Sequence, residues 1–328
     1  MGVRMRRLMT AVLVVAALVA LPGTVAATPA PVVHQASRGI PPPPNGYFGL
    51  RPVGAWRQLP GDRICAARVH KSPWEPRPEN YVQNHHMPVA KAVHAAFASR
   101  RRDLGSFNRL WNTWLLHRVD GHYTGTTDEI FQWAACKWGL PDNLLRAIAV
   151  RESTWYEYLH FRNGTCYVDY GCGDLFDSSS PASTVFCQMQ TKYGFDYQHQ
   201  FGAGKCPQTF SIAGVMSWQD PSWGKWTGNQ NGTFPFNRNS TAFALDYLGG
   251  ELRGCFEGWE AFLGDHASGY GAGQIWGCVG EWYAGDWLSP AANGYISRVR
   301  NEFNNRIWRK ASFRTGQYEC DPVKGCPV

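Results

Sequence analysis

The sequence predicts a mostly α-helical fold, because apolar residues recur at helical spacing in several separate segments. The chain has 328 residues, of which 44% are hydrophobic, 14% aromatic and only 17% charged. A chain of this length and composition can bury a sizeable core and is not intrinsically disordered. We therefore expect a globular protein of one large or two modest domains.

Residues 1–27 have the features of a signal peptide. A basic start is followed by an apolar run, a Pro-Gly break and the small residues at 24–27. The alternative is an uncleaved membrane anchor, but the apolar run is shorter than the roughly 20 residues of a spanning helix, and no later segment could span. We therefore predict a secreted protein without stable membrane insertion. Three arginines of this segment contribute to the formal net charge of +7, so the mature chain is too weakly basic to indicate nucleic-acid binding.

All ten cysteines follow residue 27, and their even number in an exported chain predicts up to five disulfides. Sequence does not determine the pairing, but three short loops suggest Cys166–Cys172, Cys187–Cys206 and Cys320–Cys326. A zinc site is less well supported, because the chain has no C-x-x-C pair and no H-E-x-x-H motif. The adjacent His85 and His86 have no third ligand at a fixed spacing, so we predict no metal site.

Prolines dominate residues 28–60, which predicts a linker or an extended surface strap. Residues 61–129 form a predicted helical extension. In it, Val89, Val93 and Phe97 mark one helix face, and a second apolar pattern runs over 107–115. A further helix is expected to start near Asp128 and to end around Gly139.

The predicted central helix is opened by Pro141 and Asp142, and it lies in a domain that we place at 130–310. Residues 163–236 are rich in Gly, Ser, Asp and Cys, which predicts a loop-rich, disulfide-bonded middle section. Helical spacing returns at 240–256 and 291–308. Residues 311–328 form a cysteine-containing tail.

Glu152 falls within the apolar stripe of the central helix. At about 100° per residue it lies about 80° from Leu144, between Ile148 and Leu145. A carboxyl group on a buried face is desolvated, which raises its pKa towards the range where it can donate a proton near neutral pH. The pattern thus suggests a general acid. The alternative is a helix-end glutamate paired with Arg151 or another cation.

The segment L-L-R-A-I-A-V-R-E-S-T-W resembles the catalytic helix of soluble (SLT-domain) lytic transglycosylases and their goose-type lysozyme relatives. Their pattern is A-I-A-x-x-E-S-x-aromatic, matched here by Glu152, Ser153 and Trp155. The segment S-I-A-G-V-M-S is similar to their G-x-M-Q segment, with Ser217 in place of the usual Gln. Met189-Gln190 is an alternative match for the M-Q pair.

Two later segments resemble the same family. E-W-Y-A-G-D-W, with Tyr283, is similar to the tyrosine-bearing loop before the last helix, and Tyr295-Ile296 is similar to that helix. The usual Tyr-Asn-Ala-Gly has lost its Asn. N-S-T-A-F-A-L-D-Y, followed by Arg253, Cys255 and Gly258, resembles a secreted actinobacterial-type branch.

The resemblance implies a lysozyme-like (goose-type/SLT) helical domain that cleaves the β-1,4 bond between N-acetylmuramic acid and N-acetylglucosamine in peptidoglycan. It implies no cofactor and a monomer, with Glu152 as the single general acid/base. The implied substrate-binding residues are Ser153, Gly214, Met216, Tyr283 and Tyr295. The product is a 1,6-anhydro sugar if the muramyl C6 hydroxyl attacks and a reducing sugar if water does.

A helper carboxylate would favour attack by water. Candidates in the middle section are Asp174, Asp177, Asp196 and Asp220, although Asp is also a common turn residue. The aromatic residues could stack on sugar rings, and their spacing among Gly, Pro and Ser predicts that they lie in loops. They are Trp218, Trp223, Trp226, Trp276, Trp282, Tyr283 and Trp287.

Two other functions remain open at this point. The missing Gln and Asn suggest an enzyme of the same fold that cleaves chitin or chitosan. The aromatic segments are also compatible with a non-catalytic wall-binding protein.

Overall fold

Helices make up most of the structure, as predicted. The computed structural model describes residues 39–104, 110–157, 175–176, 181–198, 205–217 and 231–314. The signal peptide predicted at 1–27 and most of the tail at 311–328 lie outside these residues. In the described part, no helix is both long and apolar enough to cross a membrane.

The α-helices are α1 (Asp62–Arg68), α2 (Tyr81–Asn84), α3 (Ala90–Leu104), α4 (Leu116–Arg118), α5 (Thr127–Trp138), α6 (Asp142–Ser153), α7 (Pro181–Lys192), α8 (Phe236–Asn239), α9 (Thr241–Phe256), α10 (Ala261–His266), α11 (Ile275–Ala284), α12 (Pro290–Asn305) and α13 (Ala311–Arg314). A π-helical turn covers Trp111–Leu115, and 3-10 turns cover Ala55–Gln58, Pro78–Asn80 and Ile307–Arg309.

Among the described residues, strands form two short antiparallel pairs. In the first, β1 (Leu175–Phe176) pairs with β2 (Cys206–Pro207), and Phe176 lies opposite Cys206. In the second, β3 (Thr209–Phe210) pairs with β4 (Val215–Met216), and Phe210 lies opposite Val215. The turn between β3 and β4 brings residues 211–214 towards the end of α6.

Helix α5 begins and ends where the sequence indicates. Thr126 is its N-cap and forms a reciprocal capping box with Glu129, while Gly139 ends it in the left-handed conformation at φ 63°. The predicted starts of α6 and α9 are also confirmed, at Asp142 and just after the N-cap Ser240. Local capping residues and apolar spacing were therefore sufficient to predict where these three helices begin.

The middle section, predicted to be loop-rich, contains a helix that the sequence analysis did not locate, α7. This helix packs a small apolar face, Phe186 and Cys187, into a second cluster with Tyr197, Phe210 and Phe234. So short an apolar face gives little periodic signal. The predicted Cys187–Cys206 disulfide is present and ties α7 to β2.

The prediction of loops around Trp276, Trp282 and Tyr283 was wrong, since all three lie in α11. The glycines of this segment make close helix contacts rather than turns. A side chain at Gly277 would overlap the ring of Trp287, and one at Gly280 would come within 2.8 Å of Ile296.

Residues 39–60 are irregular, as predicted, apart from one 3-10 turn, and they pack along the helices as a strap. The backbone N–H groups of Tyr47 and Phe48 donate to Asp142 at 2.9 and 3.2 Å. Further along, Gly54 donates to Glu257 at 2.8 Å. The middle of the strap is therefore held at two positions by buried carboxylates.

Two more disulfides join helices: Cys65–Cys136 links α1 to α5, and Cys255–Cys278 links α9 to α11. Cys166, Cys172, Cys320 and Cys326 lie outside the described residues. The main core is built from α5, α6, α9, α11 and α12. Within it, α6 is buried on every side from Asp142 to Val150.

A buried ammonium group joins α5 to α9. Lys137 contacts Asp62 at 2.6 Å, Asp120 at 2.9 Å and Asp246 at 2.8 Å. Burial by itself lowers the pKa of Lys137, but the three carboxylates outweigh burial and the pKa is raised. Asp246 also accepts from the indole of Trp138 at 2.7 Å and from the backbone N–H groups of Asp120 and Gly121 at 2.9 Å, so one buried carboxylate serves four donors.

We predict that Asp246→Asn lowers the free energy of unfolding by about 3 kcal/mol, because removing one partner leaves a buried charge poorly compensated. Urea unfolding followed by tryptophan fluorescence measures the loss. Asp265→Asn, at an exposed position of α10, is the control and should change stability by less than about 0.5 kcal/mol. Equal stability of the two variants would contradict the prediction.

Candidate functional site

Glu152 lies where α6 emerges from the core. Arg151 and Glu152 are half-buried, whereas every other residue of α6 is buried. The helix ends one residue later, with Thr154 in the left-handed conformation at φ 54°. Every face of α6 is covered either by apolar residues or by buried polar residues that form hydrogen bonds. The apolar stripe in the sequence, which suggested that Glu152 is fully buried, therefore does not identify a single buried face. The carboxyl group is instead partly accessible.

Tyr295 on α12 contacts this carboxyl group directly. Its hydroxyl donates a hydrogen bond to Oε1 of Glu152 across 143 positions of sequence. Burial, followed by the neighbouring Glu152 charge, raises the pKa of Tyr295 well above its ordinary value. The phenol therefore stays protonated and acts as the donor in this hydrogen bond.

Gly214 approaches the other carboxylate oxygen. It lies in the β3–β4 turn at φ +63°, and a Cβ atom built there would be 2.6 Å from Oε2 of Glu152. Any side chain would strain the turn and press on the carboxylate. Only glycine keeps this side of Glu152 open.

Ser153 links α6 to the same turn. Its hydroxyl is buried and donates to the carbonyl of Ile212 at 3.0 Å, two residues before Gly214. Ser153 was expected to bind substrate, but in the structure its hydroxyl is used inside the protein, where it positions the turn.

Tyr283 extends the group outward from the last turn of α11. Its ring stacks on that of Tyr295, with centroids 4.6 Å apart and planes 3° from parallel. The residue is 54% exposed. Tyr283, Tyr295 and Glu152 thus form a continuous path from solvent to the carboxyl group.

Met216 lies in β4 on the side of the hairpin that meets residues 231–233. Its carbonyl accepts from Asn231 at 3.1 Å and from Thr233 at 2.8 Å. Ser217, at the position of the family's Gln, is buried and accepts from Asn237 at 2.8 Å. The contacts given for Met216 therefore join the hairpin to residues 231–233 and do not involve Glu152.

The alternative M-Q pair lies elsewhere. Gln190 on α7 is buried and donates to the carbonyl of Pro207 at 2.8 Å. Among the helper candidates, Asp196 is exposed, while Asp174, Asp177 and Asp220 lie outside the described residues. Trp218, Trp223 and Trp226 lie outside them too.

Three charged side chains, Arg151, Arg298 and Glu302, lie close to one another near Glu152. Burial and the nearby Arg298 lower the pKa of Arg151, while Glu302, Tyr295 and Glu152 oppose that shift. Burial also raises the pKa of Glu302 to about 7, partly offset by Arg151. Arg151, the cation that the sequence offered as a partner for Glu152, is therefore nearby, but its charge acts on Glu302 as well as on Glu152.

Glu157 is a second carboxyl group near the turn that the sequence analysis missed. It is 1% exposed, and burial raises its pKa to about 8, although the N–H of Ile212, the hydroxyl of Thr241 and the charge of Arg238 lower it. Its own backbone N–H donates to Asn80 at 3.0 Å. No periodic or motif signal in the sequence distinguishes this residue, because its surroundings come from distant segments.

One described group has the composition of a metal site: Asp62, Asp120 and His122 have ligand atoms within 4.8 Å of one another. The ammonium of Lys137 contacts both of these aspartates. A lysine therefore already supplies the positive charge at this position.

Comparisons with known proteins add no assignment. No family model, no curated protein and no solved structure matches the chain. The grounds for a functional proposal are therefore the motif resemblance and the geometry around Glu152.

We predict that Glu157 makes the protein less stable as pH rises. The folded state keeps a proton up to pH 8, while the unfolded chain releases it near the ordinary glutamate pKa of about 4.5, so stability falls between these values. Glu157→Gln cannot ionise. Its stability relative to the wild type should therefore rise by up to about 4 kcal/mol from pH 5 to pH 8, at about 1.4 kcal/mol per pH unit.

Urea unfolding at pH 5, 6, 7 and 8 tests this prediction. Glu79→Gln, at an exposed glutamate, is the control, and its difference from the wild type should not vary with pH. A flat difference for Glu157→Gln would show that Glu157 is already ionised at pH 5.

Proposed function

We propose that the protein is an exported glycosidase that cleaves the β-1,4 bond between N-acetylmuramic acid and N-acetylglucosamine in peptidoglycan, with Glu152 as general acid/base. One observation carries the proposal. Glu152, Gly214, Tyr283 and Tyr295 were selected from four separate segments, and they form one continuous set of contacts. A purely structural glutamate at a helix end does not require an open glycine on one side and a buried phenol on the other.

The two sides of the carboxyl group suit proton transfer. Glu152 protonates the leaving glycosidic oxygen and becomes a carboxylate, which the Tyr295 hydroxyl stabilises by its hydrogen bond at Oε1. The other oxygen, Oε2, faces Gly214, where the missing side chain lets a substrate atom approach. Tyr295 thus helps Glu152 to release its proton without itself ionising.

Substrate binding involves Tyr283. An exposed aromatic ring offers a flat apolar surface to the C–H face of a sugar, and its hydroxyl offers a polar edge. Since Tyr283 rests on Tyr295, a sugar stacked there lies next to Glu152. The N-acetyl group of the substrate then stabilises the oxocarbenium-like centre, in place of the second carboxylate of an ordinary glycosidase.

The central experiment is mass spectrometry of the fragments released from purified sacculi, with chitin and chitosan assayed in parallel. Fragments with 1,6-anhydro ends identify a lytic transglycosylase, and fragments with reducing ends identify a lysozyme. Cleavage of chitin or chitosan alone would overturn the peptidoglycan assignment. Binding to sacculi without release of soluble fragments would identify a non-catalytic wall-binding protein.

Glu152→Gln should fold normally and lose lytic activity by about 10²- to 10⁴-fold or more, because the amide keeps the shape of the side chain but cannot deliver a proton. Turbidity loss of a sacculus suspension measures the rate. Glu79→Gln should retain wild-type activity. If Glu152→Gln keeps more than about a tenth of the activity, Glu152 is not the general acid.

Gly214→Ala should reduce turnover at least about tenfold, which corresponds to about 1.4 kcal/mol in the barrier. The added Cβ presses on Oε2 of Glu152, and the positive φ of this residue costs about 1 kcal/mol of folding stability. Gly264→Ala on α10 is the matched control, because a Cβ there meets nothing within 4 Å. Unchanged turnover in a folded Gly214→Ala protein would show that the turn does not limit access to the acid.

A further inference from the structure

A small cavity lies between α3 and the π-helical turn that precedes α4, formed by elements other than those that carry Glu152. Its volume of about 220 Å³ includes space open to solvent, and its enclosed part has room for about one water-sized group. The residues that line it are His94, Phe97, Ala98, Asn112, Leu116 and His117.

Two buried polar atoms at this cavity have no hydrogen-bond partner among the described residues: Oδ1 of Asn112 and Nε2 of His94. Asn112 is only 4% exposed. A buried oxygen without a partner costs about 1–3 kcal/mol, and a bound water or ion is one arrangement that removes this cost. The cavity is therefore suited to a small group that two or three of these side chains can bind.

The backbone brings the donors together. In an α-helix, residues five apart lie about 140° apart around the axis, so Asn112 and His117 would point in different directions. The π-helical turn at Trp111–Leu115 widens the helix by one residue per turn, which brings positions five apart towards one face. His94 meets that face from α3, and the rings of His94 and His117 lie 5.9 Å apart at 70°.

This separation suits a shared metal ion. With Zn–N bonds of about 2.0–2.1 Å, the ion lies about 3.2 Å from each ring centroid, so two rings on one ion are at most about 6.4 Å apart. A tetrahedral angle of about 109° at the ion places the centroids about 5.2 Å apart, so the rings, 5.9 Å apart in the structure, share a tetrahedral ion after a side-chain shift of about 0.7 Å. Imidazole nitrogen with an amide oxygen is a donor set that favours Zn²⁺ or Cu²⁺ over Mg²⁺ or Ca²⁺.

We propose that His94, His117 and the side-chain oxygen of Asn112 form a binding site for one divalent transition-metal ion, with Zn²⁺ as the probe ion. His117 is exposed, so an ion can enter from solvent, and water completes its coordination. The ion cross-links α3 to the following helical segment and so stabilises the N-terminal helices. The site is independent of the proposed glycosidase activity.

The test uses the full chain without a histidine tag, stripped with a chelator and titrated with Zn²⁺ by calorimetry. We expect one equivalent bound and a rise in melting temperature. His117→Ala, at an exposed position that should not disturb folding, should weaken Zn²⁺ binding at least tenfold and abolish the rise. His94→Ala should do the same. His85→Ala is the control, since His85 is exposed, and it should bind as the wild type does.

Cu²⁺ provides a second readout. The electron paramagnetic resonance spectrum of the wild type should show coupling to two imidazole nitrogens, and His117→Ala should show coupling to one at most. Absence of stoichiometric Zn²⁺ binding would mean that the cavity holds only a water molecule, and equal binding by wild type and His117→Ala would mean that other histidines bind the ion. Either result overturns the proposal.

Discussion

The guanidinium group of Arg146 is the interaction on which the rest of the structure depends. It is fully buried and contacts Asp128 on α5 at 2.8 Å and Asp142 one helical turn earlier at 2.7 Å. Burial by itself lowers the pKa of Arg146, but the two carboxylates outweigh burial and the pKa is raised. A buried charge that lost either partner would be strongly destabilising. Asp142 also accepts from the backbone of the strap, so one cation fixes α5, α6 and the strap.

The same residue fixes the other end of α6. The carbonyl of Arg146 accepts from the indole of Trp155 at 2.9 Å, just beyond the helix. Thr154 and Trp155 both adopt positive φ, 54° and 66°, a conformation that costs energy and persists only where the surroundings enforce it. Asn80 helps to stabilise this conformation, because its side-chain amide donates to the carbonyl of Trp155 at 2.6 Å. Glu152 is therefore held on a rigid helix end between two anchored positions.

Local signals in the sequence located α6 and its Glu152, because an apolar run and a Pro-Asp start depend on neighbouring residues alone. The local signals failed at α11, because glycines such as Gly277 and Gly280 are typical of turns. Their role in the helix becomes clear only from their contacts with Trp287 and Ile296, which lie 10 and 16 residues further along the chain. The contact of Tyr295 with Glu152 spans 143 positions; the family resemblance placed Tyr295 among the substrate-binding residues but did not predict this contact. Glu157 was missed for the related reason that its burial depends on segments far away in sequence.

Two segments from different parts of the chain flank Glu152: the turn that contains Gly214, and the end of α11 that carries Tyr283. A disulfide lies close to each segment in the chain. The Gly214 turn follows β2, which Cys187–Cys206 ties to α7, while Tyr283 is carried by α11, which Cys255–Cys278 ties to α9. These cross-links close loops of 19 and 23 residues. They stabilise the folded protein mainly by restricting the conformations of the unfolded chain, and less by adding contacts to the folded state. Disulfides persist in oxidising compartments. Both disulfides therefore suit an oxidising compartment, which is where the export predicted from residues 1–27 would deliver the chain.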